Sequence, residues 1–168
     1  LPSFYHEVHG MSLVKAGNLM GLLSVAGVLA IVSASLLALR MQRRRPLLII
    51  PGILTGFAGL SSLLMADTVI VYVAIIVLGF TCWFYLPILL TLPMELPNSD
   101  PNQVAMTFGA LISFGSFFTF ISPFTVGITT DLLGSYIPGL ALFSVLSWSL
   151  PIAATLLPET GTPSPETQ

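Results

Sequence analysis

Charged positions in this chain fall in short clusters, and long apolar stretches run between them. The windows free of Asp, Glu, Lys and Arg are 16–39, 46–66, 68–94, 101–130 and 132–158. A helix needs about 20 mostly apolar residues to cross the hydrocarbon of a bilayer, and a charge near its centre costs roughly 2.5–3.5 kcal/mol. All of these windows reach that length. In lipid every backbone N–H must be satisfied within its own segment, so helix is the default. Barrel strands are shorter and alternate in polarity, which these windows do not. The pattern predicts helices over about 12–41, 46–66, 68–95, 101–130 and 133–157. The expected fold is all-α, a polytopic helical membrane bundle of five transmembrane helices spanning 1–158. Pro46 suits a first helical turn, while Pro93, Pro97 and Pro158 mark helix ends. The tail 159–168, rich in Pro, Thr and Glu, reads as disordered.

Composition agrees. The chain is 55% hydrophobic and 7% charged, against about 25% charged in soluble domains. The net charge of -2 and the lack of a basic surface speak against nucleic acid as a partner. The single cysteine, Cys82, allows neither an internal disulfide nor a cysteine metal site. The start at Leu1 has no initiator Met and no basic, signal-like region, so the chain reads as beginning inside a longer one. Basic residues set orientation. Arg40, Arg43, Arg44 and Arg45 share one side with the loop 95–102 and the C-terminus, whereas the other side holds only Lys15. The positive-inside tendency puts the Arg side and the C-terminus in the cytoplasm, with the plasma membrane as the expected location.

Small residues recur at helix-packing spacing. Gly17 and Gly21 form one G-x-x-x-G and Gly52 and Gly56 another; Ala26, Ala30, Ala34 and Ala38 line one face, and Ala105, Gly109 and Ser113 do so in the fourth helix. Such spacing lets backbones approach closely in lipid. Ordinary helix packing is the preferred reading, with a sliding interface between moving bundles as the alternative.

The order of features resembles the major facilitator superfamily of secondary transporters. Leu1-Pro2-Ser3-Phe4-Tyr5, Gly10-Met11-Ser12 and Ala16-Gly17 lead into a Gly- and Ala-rich span, which exits into Arg40 and Arg43-Arg44-Arg45. The family's loop motif runs G-x-x-x-D-R-x-G-R-[RK]-[RK]; here Ser35, Leu39 and Gln42 stand at its Gly, Asp and second Gly positions. The missing Asp is similar to the degenerate copy found in the second half of such transporters. Leu86-Pro87 through Glu95-Leu96-Pro97 resembles the end of the tenth family helix, Gly127 to Tyr136 the outer loop before the last helix, and Leu157-Pro158-Glu159-Thr160-Gly161 that helix's end. The resemblance implies the eighth to twelfth helices of a twelve-helix fold, with residues 1–10 as the tail of the seventh. It implies solute transport by alternating access, with the lipid bilayer, a small-molecule substrate and a missing N-terminal half as partners.

Residues that could meet a solute should be polar or aromatic and deep. Thr81, Cys82, Trp83 and Tyr85 cluster at the centre of the third window, where Trp83 lies too deep for an interface anchor. Pro87 frees the carbonyl of Trp83. The third helix is similar to the family's tenth, which lines the central cavity, so Thr81, Trp83, Tyr85 and Pro87 are candidate cavity residues; core packing is the competing reading. Ser113, Ser116, Thr119 and Ser122 precede Pro123 and read as hydroxyls that compensate a kink. Trp148, Ser147 and Pro151 read as packing and a kink. His6, Glu7 and His9 read as a solvated segment, not a metal site. No span carries a deep charge and no nucleophile–base pair is present, so neither an enzyme nor a cofactor is expected. The alternative to a transporter is a small multi-span scaffold or assembly factor.

Overall fold

The computed structural model describes residues 2–41, 44–64, 68–95 and 100–157. They form α1 (Pro2–Glu7), α2 (Leu13–Arg40), α3 (Arg45–Leu64), α4 (Thr68–Glu95), α5 (Pro101–Leu133), α6 (Ile137–Leu146) and α7 (Ser149–Leu156). No strand occurs among the described residues. Five stretches are long and apolar enough to cross a membrane: α2, α3, α4 from Val69, α5, and α6 with α7 taken together. The chain is an all-α bundle with the helical make-up of an integral membrane protein, as the spacing of its charges predicts. Arg43 and the tail 159–168 lie outside the described residues.

Local chemistry sets the helix ends. Gly10 takes a left-handed φ of 63°, which turns the chain back after α1. Ser12 then caps α2, its hydroxyl accepting from the Lys15 N–H at 3.4 Å. Pro101 opens α5, where a missing N–H costs nothing. Gly134 closes it at φ 64°, its N–H donating to the Thr130 carbonyl at 2.8 Å. The last span differs from the single helix expected over 133–157. Pro151 cannot donate to the Ser147 carbonyl. The Leu150 N–H donates to it instead at 3.2 Å, and the Trp148 N–H donates to Val145 at 3.0 Å. These tight turns separate α6 from α7.

α4 packs against α2 on one side and α3 on the other, and α6 and α7 cover the far side of α3. α5 leans on α6, touches α4 only slightly and has no buried residue. Two apolar clusters hold the ends of the bundle. Near the Arg-rich loop, Ala30 and Ala34 of α2 meet Leu47 and Leu48 of α3, Phe84 and Ile88 of α4, and Ala154 of α7. At the opposite end Phe4 and Tyr5 of α1 are fully buried against Leu19, Leu63, Val71 and Ile75.

Close approach between helices comes from glycine. A Cβ on Gly79 would lie 2.4 Å from the Leu23 backbone oxygen, so α2 and α4 touch there backbone to backbone. A Cβ on Gly52 would meet Pro151 Cδ at 2.5 Å, and one on Gly56 would meet Trp148 Nε1 at 2.0 Å. One G-x-x-x-G of α3 therefore forms the groove in which the last span lies. Gly17, Gly21 and Gly109 face no atom within 4 Å.

Candidate functional site

Between the two end clusters lies an open cavity of about 830 Å³ lined by α3, α4, α5 and the α6–α7 span. α3 contributes Gly52, Thr55, Gly59 and Ser62; α4 contributes Leu78, Cys82, Tyr85 and Leu89. These four α4 positions recur at steps of four and three, the spacing of one helix face. Phe114 and Phe118 of α5 and Phe143 of α6 supply aromatic walls, with Ser144, Ser147 and Thr107 between them. A second cavity of about 950 Å³ opens between α4 and α5 and shares Tyr85, Leu89, Leu111 and Gly115 with the first. The two adjoin along the side where α5 stands off from the bundle.

Among the described residues, the wall carries no Asp, Glu, Lys, Arg or His. Beside the Tyr85 phenol and the Ser149 hydroxyl, much of its polarity comes from hydroxyls whose protons are already committed. Thr55 donates to the Pro51 carbonyl at 2.8 Å and Ser62 to Gly59 at 2.7 Å. Thr107 donates to Gln103 at 2.8 Å, Ser144 to Leu140 at 3.0 Å and Ser147 to Ser144 at 2.6 Å. This back-bonding satisfies the hydroxyl proton inside the helix and leaves oxygen lone pairs facing the cavity.

The central group of α4 divides around the helix. Tyr85 lines both cavities. Cys82, three residues before it, lines the first of them. Trp83 points toward α2, where its ring sits over Gly27, and it remains 43% exposed. Thr81 is 4% exposed and its hydroxyl donates to Val77 at 2.9 Å. Pro87 is half-buried and lines neither cavity. Each residue step turns the side chain about 100°, which carries Thr81 and Trp83 off the wall that Cys82 and Tyr85 line. Thr55, Ser62, Phe114, Phe118 and Ser144 belong to the wall without having stood out in the sequence. The recurrence 78, 82, 85, 89 was the available signal in α4. Ser116 and Thr119 line the second cavity.

The last span's Trp148 fits on Gly56, donates its Nε1–H to the Ile53 carbonyl at 3.3 Å and lies 5.4 Å from the Phe57 ring. Its role is packing of α6–α7 on α3.

The arginines tie helix ends together. Arg44 pairs with Glu95 through both carboxylate oxygens, at 2.9 Å from Nε and 2.5 Å from Nη2, and also donates to the Ala38 carbonyl at 2.5 Å. Arg45 donates to the Leu157 carbonyl from Nε at 2.9 Å. Cations at the C-terminal ends of α2, α4 and α7 meet the negative ends of the helix dipoles. Arg40 ends α2 and is exposed.

At the opposite end, α1 is held by the Tyr5 hydroxyl, which donates to the Ser62 carbonyl at 3.2 Å, and by His6, whose Nδ1–H donates to Met11 at 2.7 Å. The ring of His9 lies 5.3 Å from that of Phe4. The close approach of Glu7, with burial and the nearby charges of Glu7 and Asp131, holds the Tyr136 phenol above its usual range.

Against protein-family models, curated proteins and solved structures, the chain gives no match.

Proposed function

We propose that this chain is the C-terminal half of a secondary transporter of the major facilitator superfamily. It moves a small solute by alternating access, rocking against an N-terminal bundle. The observation that carries this reading is the charge-free cavity walled by α3, α4, α5 and the α6–α7 span, set between two apolar end clusters. A solute site in such a protein sits at mid-depth between helices. The adjoining second cavity and the unburied α5 leave that side of the bundle open toward a partner. The order of sequence features, with the Arg-rich loop after the first span, supports the family assignment. The excess of arginine at one end supports a plasma-membrane protein with that end cytoplasmic.

The second reading, a small scaffold or assembly factor, draws on the same exposed α5 as a docking face. The DNA upstream of residue 1 separates the two. Six or seven further spans in frame support the transporter, and a start codon at Leu1 supports the scaffold. The isolated polypeptide, having only one wall of a translocation path, is expected to show little or no transport in liposomes. Solute uptake by the purified 168-residue chain alone would overturn the half-transporter reading.

A further inference from the structure

We infer that the cavity between α3, α4, α5 and α6–α7 takes an uncharged, largely apolar ring compound bearing hydrogen-bond donors, and that it rejects anions. The inference rests on the transporter reading of the same site and adds the chemistry of the solute. Three observations carry it. First, no charged side chain lines the wall, so an anion entering would lose its hydration with no cation to replace it. A cation would likewise meet no carboxylate. Second, the walls present Tyr85, Phe114, Phe118 and Phe143, which favour a flat apolar body. Third, the hydroxyls of Thr55, Ser62, Thr107, Ser144 and Ser147 have given their protons to carbonyls of their own helices. Their oxygens can accept from a solute but do not donate to it. The backbone N–H groups of these helices are used internally as well. Beside the Tyr85 phenol and the Ser149 hydroxyl, which can donate, the wall carries an excess of acceptors, and a matching solute brings protons to them.

Cys82 gives a direct readout, because it is the chain's single cysteine and lines this cavity. The full chain is placed in lipid nanodiscs, and the rate at which a water-soluble maleimide labels Cys82 is measured. Three probes of similar size are compared: 1-naphthol, 1-methoxynaphthalene and 1-naphthoate. We expect naphthol to slow labelling. Methoxynaphthalene, which has the ring but no donor, should need about tenfold more for equal protection, the value of one hydrogen bond of about 1.4 kcal/mol. Naphthoate should not protect at the concentration at which naphthol does. Thr55→Val and Ser144→Ala each remove an acceptor while keeping an apolar wall. Either should narrow the difference between naphthol and methoxynaphthalene, which guards against nonspecific partition into lipid. Equal protection by naphthol and naphthoate, or a naphthol preference unchanged in both variants, would overturn the solute class and leave the transporter reading of the cavity standing. A Cys82 that the maleimide never labels would overturn the inference together with the reading beneath it.

Discussion

Replacing Gly56 with Ala tests the packing of the last span on α3. The new Cβ would lie 2.0 Å from Trp148 Nε1, 2.5 Å from Cδ1 and 2.7 Å from Cε2. The indole is rigid and its nearest atoms must retreat by about 1.4 Å to reach ordinary contact. That shift breaks the Nε1–H bond to the Ile53 carbonyl, now 3.3 Å long. Overpacking costs about 1–3 kcal/mol and the lost bond about 1 kcal/mol, against a helix-propensity gain of up to about 1 kcal/mol for Gly→Ala. The expected net loss is about 1–3 kcal/mol. With Trp148→Ala already in place nothing stands above Gly56, so the same substitution should be neutral or mildly stabilising. The double-mutant cycle should thus show a coupling of about 2 kcal/mol. Unfolding in mixed micelles by titration with SDS, followed by circular dichroism, measures it. Gly17→Ala and Gly21→Ala, which meet nothing within 4 Å, serve as controls and should cost nothing. An equal loss from Gly56→Ala in both backgrounds would refute the contact.

Gly79→Ala should destabilise more than Gly27→Ala in the same assay. The first meets the Leu23 backbone oxygen at 2.4 Å, whereas the second meets the half-exposed side chain of Trp83 at 2.5 Å, which can move; the reverse order would count against backbone contact between α2 and α4. Arg44→Gln and Glu95→Gln should each cost about 2 kcal/mol, because the pair is only partly exposed and each change strands one charge. The double variant should cost less than the sum, and strict additivity would show that the pair does not interact. For Tyr136, the folded-state pKa is raised, so protonated phenol favours the docked state. That stability is present below the ordinary phenol value of 10.0 and is lost as pH rises through the folded value. The thermal midpoint should fall faster above about pH 10 in the native chain than in Tyr136→Phe; parallel curves would rule out a raised phenol at Tyr136.

The placement of a dozen charges was enough to give five apolar helical stretches, though not α1 or the break between α6 and α7, because lipid tolerates neither unpaired backbone nor a deep charge. The helix ends at Ser12, Pro101 and Gly134 were equally local, each a matter of one residue's own chemistry. What faces what was a different matter. In water an apolar stripe points to the core, but lipid is as apolar as leucine, so α4 and α5 carry no polarity signal for inside or outside. Packing is then decided by shape. Gly17–Gly21 and Gly52–Gly56 have the same spacing, yet only the second pair receives a partner, because Pro151 and Trp148 arrive there from the far end of the chain. The same rotation that brings Cys82 and Tyr85 to one wall turns Trp83 toward α2, and the break at Ser147–Trp148 follows from Pro151 while its fit depends on Gly52. Sequence alone determined that these segments are long and apolar enough to cross a membrane; tertiary structure decided which of their faces meet, because close fit between helices depends on atoms far apart in the chain.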